Sequence, residues 1–220
     1  MKVISFLPEA ESILRRCDEV GVVLDFVRLS PGLGEQGELG HRRAALAAVT
    51  EARRRHADEV EANVADAPDA RERELLTRTA RRLRAEGERL EGLDPEALTG
   101  RRVSSAEFFG SGYVGGRPVP DVEEHYSVFG DEPDFTRAFC LPPYGLHGKH
   151  KRLSRSVLAE LFNGVVREVL RSPDDSMEIW SWSTDWSEYF ALGREWWGTA
   201  CWTLDTGDDS IVAVLASTTD

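Results

Sequence analysis

Asp185, Glu188 and Glu195 are the carboxylates best placed to do chemistry in this chain, because they stand among aromatic rings. All six tryptophans, Trp180, Trp182, Trp186, Trp196, Trp197 and Trp202, fall in the same stretch, with Tyr189 and Phe190 between them. A carboxyl beside such rings loses solvation, which raises its pKa and suits it to general acid or base work. Acids and rings together equally suit capture of a cationic group, or of a basic patch on another protein. Trp186 and Trp196 fall on a connection between strands, where sheet packing explains a tryptophan least. With Tyr189 and Trp197 they are the rings expected at a binding surface. The plainer alternative makes the rings the core of a small sheet, where truncating one costs about 3–5 kcal/mol.

A second group is basic. His147, Lys149, His150, Lys151 and Arg152 precede a helix expected from residue 153, with Arg155 just inside it. The start of a helix favours anions, so His147, Lys149, His150 and Arg152 suit a phosphate or carboxylate group. They equally suit pairing with the acids of the same domain. Gly148-Lys149 is not a nucleotide-binding loop: Pro143 stands where the first glycine belongs, and His150 follows the lysine. Patterns for a serine-hydrolase elbow, a zinc protease, a dinucleotide site or a calcium loop are absent. Cys17, Cys140 and Cys201 are far apart, so three reduced thiols are expected, with no metal and no cofactor.

Charge narrows the partners. The net charge is −12, and from Pro173 onward ten acids face one base, Arg194. Such a chain avoids nucleic acid and anionic lipid. The apolar run at residues 1–8 is too short for a signal peptide, and no segment approaches a membrane span, so a cytoplasmic protein is expected.

The elements that must carry these groups are read from periodicity. Ile13, Cys17, Val20, Leu24 and Val27 make one helical stripe over 9–29; alternatively the chain breaks at Gly21 and continues as a strand over Val22–Leu29. Residues 41–66 and 70–91 predict two helices, the second capped by Asp69, folded as an antiparallel hairpin. Residues 101–133 read as an ordered, aromatic-rich loop. Residues 135–141 read as a strand, 153–171 as a helix, and 177–183, 197–205 and 210–217 as strands, the last two joined by a turn at 206–209. The expected fold class is α+β: a helical region at 1–100 and a mostly antiparallel sheet domain (β-α-β-β-β) with a packed helix at 101–220, or one continuous domain.

Near the C-terminus, Trp182-Ser183-Thr184-Asp185-Trp186-Ser187, Tyr189-Phe190, Glu195-Trp196-Trp197-Gly198, Trp202-Thr203 and Ala216-Ser217-Thr218-Thr219-Asp220 follow in order. This string resembles a group of uncharacterised bacterial proteins. The resemblance covers about the last third of the chain and implies no catalytic role for any residue.

Three functions follow from the residues. The first is a binding module that recognises a basic protein or a small cationic ligand through its aromatic-acidic surface. The second is a hydrolase-type enzyme using the acids of 185–195 with the basic patch at 147–155. The third is a scaffold that forms a homo-oligomer through the helical hairpin.

Overall fold

The computed structural model describes residues 1–32, 35–111, 113–114, 117–118, 134–141, 147–148, 151–174, 176–191, 193 and 199–217. The chain opens with a short strand, β1 (Lys2–Ile4), and helix α1 (Pro8–Glu19). Gly21 ends that helix. It takes a positive φ of 84°, and the N–H groups of Gly21 and Val22 turn back to the carbonyls of Asp18 and Cys17. The next residues are therefore free to form strand β2 (Leu24–Ser30), the second of the two readings the stripe allowed.

The hairpin follows as α2 (Gly37–Ala62) and α3 (Ala70–Glu91). The Asp69 side chain accepts from the Glu72 N–H at 2.8 Å, the expected cap. Arg84 pairs with Asp58 and Glu61, and Arg53 with Glu86, so the two helices run antiparallel. Helix α2 starts four residues before the expected position, inside the glycine-rich stretch.

Residues 101–133 hold more regular structure than their glycines and prolines suggested. Strand β3 (Gly100–Val103) leads to α4 (Ser105–Phe109), which starts with a reciprocal cap between Ser104 and Glu107. Two two-residue strands, β4 (Tyr113–Val114) and β5 (Arg117–Pro118), pair next. Tyr126 and Phe129 lie outside the described residues.

The expected strand over 135–141 is instead helix α5 (Phe135–Cys140). Asp134 caps it by accepting from the Arg137 N–H, and Phe135, Ala138 and Phe139 share one face at helical spacing. A short run of apolar residues fits either element, and here the cap decides. Two short strands, β6 (His147–Gly148) and β7 (Lys151–Arg152), precede helix α6 (Arg155–Gly164), which widens into a π-helical turn over Val165–Val169. Strands β8 (Ile179–Trp182), β9 (Ala200–Asp205) and β10 (Ile211–Ala216) occur where expected.

One six-stranded sheet draws on both ends of the chain, in the order β1-β2-β10-β9-β8-β3, with every neighbouring pair antiparallel. Alternation sends Leu24, Phe26, Trp202, Leu204, Val212 and Val214 to one face, where they pack with residues of α1, α4, α5 and α6. Val27, Leu29, Trp182, Cys201, Ala213 and Leu215 point to the other face. There α2 lies on the sheet through Ala44, Ala45, Ala48, Val49 and Ala52, small side chains that bring helix and sheet close. The result is three layers, with the hairpin outermost on one side. No helix among the described residues is long and apolar enough to cross a membrane.

Gly100 shows how tightly the far edge of the sheet is packed. It pairs with Trp182 across β3 and β8, and a Cβ there would overlap the indole ring. Gly100→Ala is expected to destabilise the fold by about 1–3 kcal/mol, read from urea unfolding; an unchanged midpoint would place that ring elsewhere.

Candidate functional site

Residues 183–191, which follow β8, are folded back against the hairpin. Ser187 starts a 3-10 turn (Glu188–Phe190) and caps it, and that turn is pressed into the hairpin. Tyr189 and Phe190 are buried, and Trp186 is half-buried with its ring edge-on to Phe190 at 5.6 Å. The indole N–H of Trp186 donates to the Ser183 carbonyl at 2.5 Å.

The turn is held by a buried carboxylate. Glu86 of α3 is 7% exposed and accepts from the Ser187 hydroxyl at 2.7 Å and the Tyr189 N–H at 3.2 Å. Its other oxygen faces Nε of buried Arg53 at 2.7 Å. That contact is an ion pair rather than a hydrogen bond, because the N–H is not aimed along it. The Arg53 guanidinium also lies over the Tyr189 ring, 5.3 Å from its centre. The Ser217 hydroxyl closes the arrangement by donating to the Tyr189 carbonyl at 2.6 Å.

Tyr189 reaches through to the end of the sheet. Its hydroxyl donates to the Asp25 carboxylate of β2 at 2.5 Å. Burial, then the Asp25 charge, holds the phenol well above its ordinary pKa, so it remains a donor. His56 of α2 stacks on the Tyr189 ring at 6.0 Å and places Nε2 3.5 Å from the same Asp25 oxygen. His56 and Asp25 are each about one-quarter exposed, so this notch is reached from solvent. Two more acids complete its charge. Asp18, at the end of α1, is raised above the usual carboxylate range by the protein around it, and next by Asp25 and Glu59 of α2. Arg55 opposes this, but its side chain is already spent on Glu51 and on the Phe26 carbonyl.

The expected site residues thus part company. Tyr189 is the buried centre of the network and Trp186 its half-buried neighbour. Asp185 is exposed. Glu188 is exposed and bound to Arg82 at 2.7 Å, which keeps its carboxyl below the ordinary range. A carboxyl so held stays ionised near neutral pH. His147 and Arg152 face each other across the β6–β7 ladder. Lys149, His150, Glu195, Trp196 and Trp197 lie outside the described residues.

Asp25, Asp18, Glu59, His56, Arg53 and Glu86 were not singled out from the sequence. One signal was available: Asp25 is the lone acid in the apolar run Val22–Leu29. An acid there needs a partner or solvent.

A second histidine sits deeper on the same face of the sheet. The Trp182 indole N–H donates to the Thr203 hydroxyl at 2.9 Å, and His41 Nδ1 lies 2.9 Å from that hydroxyl. The other ring nitrogen, Nε2, faces Glu178 at 3.6 Å. Burial pushes the His41 pKa down to about 4, so this ring is neutral at pH 7 and serves packing. The thiols of Cys17 and Cys140 are pushed up to about 12 by burial and are poor nucleophiles. Among the described residues, no group of three His, Cys, Asp or Glu side chains is arranged to hold a metal ion. Comparison with models of protein families, with curated proteins and with solved structures found no match to this chain.

His41 sets a pH dependence. Unfolding restores its ordinary pKa near 6.5, so below that value the unfolded chain takes up a proton that the folded chain refuses. Stability therefore falls as pH drops from about 6.5 to about 4, by about 3 kcal/mol from this group. In the His41→Leu variant, urea unfolding across that range should show a shallower loss than the parent; equal slopes would assign the acid sensitivity to other groups.

Proposed function

We propose that this protein is a binding module that captures a cationic group, the head of a lysine or arginine or a small amine, at the notch formed by Asp18, Asp25 and Glu59 beside His56 and Tyr189. The reading rests on acidic charge gathered from three elements. Asp25 of β2 and Glu59 of α2 both act on Asp18 of α1, and Arg55, the base that opposes them, also bonds Glu51 and the Phe26 carbonyl. Asp18 and Glu19 also stand at the C-terminal end of α1, where the helix already presents partial negative charge. A fold selected only for stability would not favour that arrangement, and a bound cation relieves it. The partly exposed ring of His56, held in place by stacking on buried Tyr189, lies beside these acids.

The observation that carries the proposal is geometric: the Asp25 carboxylate, with the Tyr189 hydroxyl at 2.5 Å and His56 Nε2 at 3.5 Å, is still about one-quarter exposed, and Asp18 and Glu59 add negative charge beside it. This keeps the aromatic-acidic recognition expected from the sequence but moves it from Asp185 and Glu195 to acids of the front half. Of the acids named in the hydrolase reading, Glu188 is paired with Arg82 and held below the ordinary carboxylate range, Asp185 is exposed, and Glu195 lies outside the described residues.

A site of this kind separates stability from affinity. Asp18→Asn should raise the unfolding free energy slightly, by up to about 0.5 kcal/mol, because it removes repulsion. The same change should weaken binding of a lysine-rich peptide several-fold in calorimetric titration at low salt. Asp25→Asn should weaken binding further but destabilise the fold, because Tyr189 loses a charged acceptor. Unchanged affinity in both variants, or a loss of stability in Asp18→Asn, would contradict the proposal.

A further inference from the structure

The outer flank of α3 carries a second, oppositely charged surface. Arg71, Leu75, Arg78, Arg82, Ala85 and Arg89 recur at alternating intervals of four and three residues, so they form one stripe along the helix. All six are exposed, and Leu75 reaches 60%, the most open of the large apolar side chains noted on this surface. Helix α3 does not need this stripe for its own packing: its buried residues are Ala80, Glu86, Gly87 and Leu90, which lie on another side. Two of the cations have local partners, Arg78 with Glu74 and Arg82 with Glu188, and both pairs are more than half exposed. Exposed pairs of this kind are weak and exchangeable, worth about 0.2–1 kcal/mol. Arg71 and Arg89 form no ion pair among the described residues.

We propose that this stripe docks an acidic amphipathic helix of a partner protein, with carboxylates against the four arginines and an apolar side chain on Leu75. The spacing sets the six side chains along one flank, within reach of a single helix laid alongside α3. Charge selects the partner. In a chain of net charge −12, a row of four arginines on one helix flank runs against the overall sign. A second copy of this chain fits badly. Antiparallel pairing of two α3 stripes in register would set Arg71 against Arg89, Arg78 against Arg82, and Leu75 against Ala85. Four of the six positions would then oppose like charges, which is unfavourable. A carboxylate at each of those positions reverses the sign of every contact. The site is separate from the acidic notch and does not depend on it.

The test uses the full chain and a fluorescein-labelled, helix-forming peptide with glutamates at the same repeat around one leucine. Its fluorescence anisotropy should report saturable binding that weakens as salt rises. A peptide of identical composition with the repeat scrambled should bind about tenfold more weakly. Arg71→Glu/Arg89→Glu should lower affinity by about tenfold or more, and Leu75→Ser by several-fold. Circular dichroism should be unchanged in both variants, since these side chains contribute little to the core. Equal binding of the scrambled peptide would reduce the stripe to nonspecific attraction and overturn the proposal. So would undiminished binding by the double arginine variant. Preference for a short single-stranded DNA over the peptide would assign the stripe to nucleic acid. Dimerisation that Arg71→Glu/Arg89→Glu abolishes would assign it to a second copy.

Discussion

A single buried carboxylate orders the functional end of this molecule. Glu86 lies inside the contact between α3, α2 and the turn at Ser187–Phe190. Taking a carboxylate out of water costs several kcal/mol, so it is tolerated only where its oxygens are met. Here one oxygen takes two donors from the turn and the other faces Arg53. Next to it, Gly87 has the backbone of Thr50 close by, so α3 can lie near α2. The position of each helix and of the turn is therefore a condition for the other two. Tyr189 is carried by that turn, and its hydroxyl meets Asp25 at the end of the sheet.

This arrangement changes what the aromatic segment is for. Ser187 and Tyr189 fasten this part of the chain onto the hairpin. Acidic charge collects beside them, where α1 ends, β2 begins and α2 passes. The proposed cation site is thus a by-product of the clamp: Tyr189 supplies both the donor that fixes Asp25 and the ring on which His56 rests. The arginine stripe lies on the other partner of the clamp, α3. The hairpin accordingly carries acids at one place and bases at another.

Local patterns made part of this legible. The hairpin was readable because Asp69 caps α3 and an apolar repeat runs through it from Leu76 to Leu90. The β9–β10 pair was readable from two apolar runs around the turn signal Thr206-Gly207-Asp208-Asp209. Strands β1 and β3 were not, because three or four residues carry no periodicity to detect. Helix α5 was misread because six apolar-rich residues fit a strand as well as a helix until Asp134 is recognised as a cap. The joining of β2 to β10 was invisible for a different reason: it links residues nearly two hundred positions apart, and only the folded chain specifies it. The site follows the same division. Tyr189 and Trp186 stood out as aromatics in a polar connection. Asp25 and His56 are brought to them by sheet order and by the placing of α2.

The most direct test is a double-mutant cycle on the buried pair, read from urea unfolding of Arg53→Met, Glu86→Met and the double variant. Each single change strands one charge in the interior and is expected to cost about 3–5 kcal/mol, whereas the double variant should lose less than the two single losses added together, by several kcal/mol. Additive losses would mean that Arg53 and Glu86 do not depend on each other, and the clamp described here would not exist.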